Sequence, residues 1–113
     1  MTAENEEKIK HLQRAEQSMQ ALMSQKQALQ MQLMELESAL KELETANEAY
    51  KIVGNVMVLS KKDKLDSDLK SKKETVELRI KTLETQEKDT REKAETIQKE
   101  VLEAMKNDDK NDK

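Results

Sequence analysis

The stretch IVGNVMVL, residues 52–59, separates two long polar flanks and is the most informative part of this chain for its fold. It contains the only glycine of the 113 residues, close to the midpoint, and the chain has no proline. Glycine and asparagine both tolerate the positive φ that a two-residue hairpin turn requires. The β-favouring residues on either side of Gly54-Asn55 therefore predict two short strands joined by a tight turn. The alternative is a hydrophobic stretch within one continuous helix.

The sequence on both sides of this hairpin predicts a long helix, because neither flank contains a helix breaker and apolar residues recur with a seven-residue period. We call the row of a and d positions, along which two helices of a coiled coil meet, the seam. In the first flank it consists of Leu12, Met19, Lys26, Leu33, Leu40 and Asn47 at position a and Ala15, Leu22, Leu29, Leu36, Leu43 and Tyr50 at position d. In the second flank it consists of Leu69, Val76, Ile80, Leu83, Ala94, Ile97, Val101 and Ala104, interrupted by Asp66, Lys73, Glu87 and Thr90.

The two flanks match each other in reverse order around the hairpin. Pairs such as Leu36 with Ile80 face each other if the chain folds back on itself, and the same register brings Lys26 within reach of Glu87. A polar layer of this kind can fix register at some cost in stability. The alternative is that both residues are weak seam positions with side chains that reach solvent. The pattern predicts an antiparallel two-helix coiled coil.

The apolar residues of the hairpin are consecutive, which predicts strands that are buried on both faces. A lone two-stranded ribbon is marginally stable in water and leaves open edges. We therefore expect the hairpin to join hairpins of other chains. The predicted fold is mainly α, with a single unit over 1–105: a first helix over 5–50, a hairpin over 51–60, a second helix over 62–105, and a disordered tail over 106–113.

The composition excludes several classes of function. Charged residues make up 40% of the chain and aromatic residues 1%, which does not suit a compact globular core. Acidic and basic residues are interspersed at a net charge of −3, so we expect no nucleic-acid-binding surface. Without cysteine, and with a lone His11, the chain offers no catalytic, metal or cofactor site. It has neither a signal-peptide pattern nor a membrane span, and we expect a cytoplasmic protein that does not bind membranes.

The hairpin sequence resembles that of the prefoldin family. The resemblance rests on AYKIVGNVMV at 49–58, with its Tyr-Lys-x-x-Gly motif, and on ETVELRIKTLETQE at 74–87, and it extends over roughly residues 7–105. A single hairpin is typical of the beta-type subunits. The resemblance implies a hexamer of two alpha-type and four beta-type subunits whose hairpins form a β-barrel platform. By resemblance, the assembly interface consists of Ile52, Val53, Gly54, Val56, Met57 and Val58.

The family resemblance also implies an ATP-independent chaperone that holds non-native polypeptides at the tips of its coiled coils and passes them to a group II chaperonin. Such holding needs accessible apolar side chains, and methionine is well suited to promiscuous contact. The candidate client-binding residues are Ile9, Leu12, Met19, Met23, Val101, Leu102 and Met105. Seam residues such as Val101 become accessible only where the helix ends fray. Scattered surface apolar residues are also common without any function, and this is our interpretation of Met31 and Met34.

A second class of function competes with this one. A structural or adaptor coiled coil would bind a defined partner helix through its seam. Such a protein does not need the apolar block at residues 52–59, so loss of the hairpin would leave its oligomeric state unchanged.

Overall fold

The computed structural model describes residues 2–111, with side chains described as far as residue 107. Helix α1 spans Ala3–Thr45, strand β1 spans Ala49–Val53, strand β2 spans Val56–Ser60, and helix α2 spans Lys62–Asn111. The two strands form an antiparallel two-stranded sheet. The predicted fold class, two long helices with a central β-hairpin, is confirmed.

The hairpin turns at the predicted glycine. Val53 pairs with Val56, so that Gly54 and Asn55 form a two-residue loop. Gly54 has φ of +60°, and no other described residue has a positive φ. Positive φ at the first central residue alone is the pattern of a type II′ turn, whose twist matches that of the flanking strands. Gly54 is therefore the residue that sets the turn.

Helix α1 ends earlier than the heptad pattern suggests. It stops at Thr45, so the predicted seam positions Asn47 and Tyr50 are not helical, and Tyr50 lies in β1 opposite Leu59. The physical reason is tertiary: β2 needs a partner strand of equal length, which starts at Ala49. The Nζ atom of Lys62 donates a hydrogen bond of 3.0 Å to the carbonyl of Glu44, one of the free carbonyls at the end of α1.

The start of α1 is capped, and α2 extends further than predicted. The Oγ1 atom of Thr2 accepts a hydrogen bond of 3.2 Å from the backbone N–H of Asn5, as an N-cap residue does. Helix α2 continues to Asn111 instead of ending at residue 105, because the sequence after Met105 contains neither glycine nor proline. Of the predicted tail, residues 106–111 belong to this helix, and residues 112–113 lie outside the described residues.

The chain divides into two compact units. We call residues 27–82 the central unit and residues 1–26 together with 83–113 the terminal unit. In the central unit, Glu37 of α1 forms an ion pair with Lys73 of α2, and the backbone carbonyl of Glu44 accepts a hydrogen bond from Lys62. The two helices are therefore antiparallel. In the terminal unit, Lys8 pairs with Glu100 and Lys26 pairs with Glu87, which again requires antiparallel helices.

Burial follows the predicted heptad pattern within each unit. Every seam position predicted on α1 between Leu12 and Leu43 is buried or half-buried, as is every seam position predicted on α2 from Asp66 to Ala104. The buried apolar residues of the central unit are Leu29, Leu43, Ala49, Val76 and Ile80, and those of the terminal unit are Leu83 and Val101. The seam prediction is confirmed for both helices, apart from the two residues beyond the end of α1.

Candidate functional site

The hairpin presents two apolar faces, and both are exposed. Side chains alternate along each strand, and the cross-strand pairs place large side chains on one side. This tyrosine face consists of Tyr50, Ile52, Met57 and Leu59. The opposite valine face consists of Val53, Val56 and Val58, with Lys51. Ile52 is 69% exposed, and the apolar side chains of both faces are at least 47% exposed. All six residues of the predicted assembly interface therefore lie open to solvent.

The hairpin also has two unpaired backbone edges. In a hairpin with a two-residue loop, the pair that flanks the loop is hydrogen-bonded, and hydrogen-bonded and non-hydrogen-bonded pairs then alternate. From the register, the outward-directed N–H and C=O groups belong to Tyr50 and Ile52 on β1 and to Met57 and Leu59 on β2. The residues of the tyrosine face thus also carry the free backbone groups. Each edge is a template for a further strand.

An open cleft of about 650 Å³ lies beside the hairpin within the central unit. Its lining includes Tyr50 and Ile52 from β1, Ala39 from α1, and Leu65 and Leu69 from α2. The lining is mixed, because the polar residues Lys51, Asp68, Ser71 and Lys72 also contribute to it. The cleft can accommodate apolar side chains of a partner that pairs with β1.

The candidate client-binding residues differ in accessibility. Three are exposed, namely Met23, Leu102 and Met105. Three are half-buried in the terminal unit, namely Ile9, Leu12 and Met19. Val101 is only 6% exposed because it packs in the seam. The first group is thus accessible in this structure, whereas Val101 is covered as long as the two helices of the terminal unit stay packed.

Some exposed apolar residues were missed by sequence reasoning. Tyr50 was assigned to a helix seam, and Leu59 was not included in the interface, yet they face each other on the tyrosine face. Continuing the strand alternation for two more residues away from the turn would have found both. Leu78 is exposed on α2, as its outer heptad position implies. Met31 and Met34, interpreted as ordinary surface residues, are also exposed.

The terminal unit contains the polar layer that the register predicted. The Nζ atom of Lys26 lies 3.1 Å from Oε2 of Glu87, which confirms that these residues contact each other. Glu87 is 6% exposed, and its Oε1 atom is buried without a hydrogen-bond partner among the described residues. By contrast, Lys70 pairs at the surface with Asp66 at 2.9 Å, and this hydrogen bond raises the pKa of the Lys70 side chain above its ordinary value.

Within residues 2–111, neither helix has an apolar stretch long enough to cross a membrane. The exposed large apolar side chains of the described residues lie on the two hairpin faces and, alone or in pairs one helical turn apart, on the helices. The hairpin therefore carries the largest group of them.

Comparisons with known proteins agree with this arrangement. The profile of the family described as "Prefoldin subunit" matches residues 6–108. The prefoldin subunit beta of Archaeoglobus fulgidus is 42% identical over 95 residues, which cover 80% of this chain and 82% of that protein. The corresponding subunit of Thermococcus kodakarensis is 40% identical over 57 residues, about half of either chain. The crystal structure of the prefoldin beta subunit from Thermococcus strain KS-1 superposes with a TM-score of 0.85 at 34% identity, covering 91% of this chain and 93% of the other.

Proposed function

The chain belongs to the prefoldin family, a family of chaperone subunits, and we propose on that basis that four copies of it join two alpha-type subunits through their hairpins. The hexamer holds non-native polypeptides in the terminal units of its subunits, without ATP or any other cofactor, and passes them to a group II chaperonin in the cytoplasm.

The observation that carries the assembly proposal is the hairpin with two bare faces and two open edges. Apolar surface of this extent on a two-stranded sheet is unfavourable in water. Pairing with strands of neighbouring subunits satisfies the outward backbone groups of Tyr50 and Ile52 and covers the side chains beside them. The cleft next to β1 provides room for the side chains of the added strand.

The observation that supports client holding is the distribution of apolar side chains in the terminal unit. Met23 is exposed on α1, and Leu102 and Met105 are exposed one helical turn apart on α2, so each offers a small apolar contact. Methionine adapts its shape to different partners, and weak contacts that act together bind many sequences without selecting one. The half-buried Ile9 lies in the same unit and extends this surface.

Native mass measurement on the complex purified from the source cells tests the assembly. We expect four copies of this chain with two copies of a two-hairpin homologue. Ile52→Asp with Met57→Asp places two charges on the tyrosine face, and we expect this variant to appear as an isolated chain. The matched control is Met31→Asp with Met34→Asp, two equally exposed residues of α1. A complex that survives the hairpin variant would instead favour an adaptor coiled coil that binds through its seam.

Aggregation of a denatured model protein tests the holding activity. The variant Ile9→Ser, Leu102→Ser and Met105→Ser is expected to assemble normally and to suppress aggregation several-fold less than the wild type. Met31→Ser with Met34→Ser is the control, since these residues lie in the central unit and are at least as exposed. Unchanged suppression by the first variant, or equal loss in both, contradicts the assignment of the client site to the terminal unit.

A further inference from the structure

Lys26 and Glu87 form a polar layer inside an otherwise largely apolar seam. Their side chains meet at 3.1 Å, and the side chain of Lys26 retains 24% exposure, whereas that of Glu87 retains 9%. Lys26 is also the last α1 residue of the terminal unit, and Glu87 lies one helical turn inside its first α2 residue, Leu83. On both helices, the layer thus lies in the part of the terminal unit that is next to the central unit in the sequence.

This layer disfavours the closed state of the helix pair. Burying a carboxylate removes it from water, and a single ion pair seldom compensates for that loss. Here one carboxylate oxygen, Oε1 of Glu87, has no hydrogen-bond partner among the described residues. When the helices separate, both carboxylate oxygens and the ammonium group of Lys26 become hydrated, so separation is easier at this layer than at a layer of leucines.

The remaining seam of the terminal unit offers little resistance to separation. Its small or polar positions are Ala15, Thr90, Ala94 and Ala104. Each buries less apolar surface than leucine or isoleucine at the same position would. Between them lie larger apolar residues, among them Leu12, Met19 and Val101, which closed helices cover wholly or partly. Separation would expose these residues together.

We propose that the Lys26–Glu87 layer allows the helix pair of the terminal unit to open reversibly, so that seam residues including Leu12, Met19 and Val101 become available to a non-native polypeptide. The inference rests on the proposed function, because it adds a controlled opening to the same client site. Lys26 and Glu87 act as positioning residues, since neither has to touch the client.

Amide hydrogen exchange on the full chain in its native complex tests the opening, without any client present. Lys26→Met with Glu87→Leu replaces the layer with apolar side chains, and exchange in residues 3–26 and 83–107 is expected to slow about tenfold. Lys26→Met alone leaves the buried carboxylate without its cation, and exchange in the same residues is expected to accelerate. The opposite directions of the two effects separate this role from a general loss of structure.

The control applies the same kind of replacement to the central unit. Lys70→Met with Asp66→Leu removes an ion pair of the central unit, and exchange in the terminal unit is expected to stay at the wild-type rate. If the Lys26→Met, Glu87→Leu variant shows unchanged or faster exchange in the terminal unit, the proposal is wrong.

Client holding by the same variants completes the test. The variant with slowed exchange is expected to suppress aggregation several-fold less well, because its seam residues stay covered. Slower exchange with undiminished holding would overturn the link between opening and client binding. A wild-type complex that does not suppress aggregation at all would instead overturn the proposed function, so the two failures are distinguishable.

Discussion

The central and terminal units share one heptad pattern but differ in the residues that occupy it. On α1 of the central unit, all five seam positions are leucine: Leu29, Leu33, Leu36, Leu40 and Leu43. On α1 of the terminal unit, leucine occupies two of the five seam positions, Leu12 and Leu22, and the others are Ala15, Met19 and Lys26. Each buried methylene contributes roughly 0.8 kcal/mol to stability. The leucine-rich seam is therefore expected to stabilise its helix pair more than the seam of the terminal unit does.

The heptad pattern of a coiled coil and the stability of its helix pair are therefore separate properties. The period of the apolar positions sets which helix faces meet, and the size of the side chains at those positions sets how firmly they meet. The unit with the leucine-rich seam also contains the hairpin. The unit with the weaker seam contains the candidate client-binding residues.

The largest expected effect compares one isoleucine from each seam. Ile80 is buried in the central unit and Ile97 is half-buried in the terminal unit. We expect Ile80→Ala to lower the free energy of unfolding by about 3 kcal/mol and Ile97→Ala by about half as much, because the less buried site leaves a smaller cavity. Urea unfolding followed by circular dichroism measures both. Equal losses would show that the two seams contribute equally to the free energy of unfolding.

A smaller effect is expected at the turn of the central unit. An added Cβ at Gly54 meets no atom within 4 Å, so the cost of Gly54→Ala comes only from the positive φ. That cost is about 1–2 kcal/mol. Asn55→Ala is the control, because Asn55 does not have a positive φ. Native mass and thermal unfolding should show a weakened complex for the first variant alone, and an equal effect of both would contradict the type II′ turn.

The smallest effect is expected at the N-terminus of the terminal unit. Thr2→Ala removes the hydroxyl that caps the N–H of Asn5, which costs about 1 kcal/mol of local stability. Hydrogen exchange should accelerate in the first turn of α1 and remain unchanged in the central unit. Ser18→Ala, an exposed position within the same helix, serves as the control. Acceleration that reaches the central unit would show that the two units do not open separately.

The sequence predicted the seam and the turn correctly because both depend on local chemistry. Heptad spacing determines which residues of a helix share a face, and glycine, which adopts a positive φ at the lowest cost, stands where φ is +60°. The contact between Lys26 and Glu87 followed from the register of the two flanks.

The end of α1 could not be predicted in this way, because it depends on tertiary structure. Tyr50 satisfies the helical period, yet it pairs with Leu59, since the length of β2 determines where β1 begins. A heptad pattern contains no information on strand pairing. The accessibility of the candidate client-binding residues could not be predicted for the same reason, since Val101 fits both a covered seam position and an exposed helix end.

The two open edges of the hairpin make each chain bivalent toward other strands. A bivalent unit that joins head to tail either closes into a ring or continues into a filament, depending on the rotation between neighbours. The tyrosine face and the outward backbone groups belong to the same four residues, so a strand added at an edge places its own side chains beside that face. The number of chains in the assembly is therefore limited by geometric closure of the sheet or by a partner that occupies the last free edge.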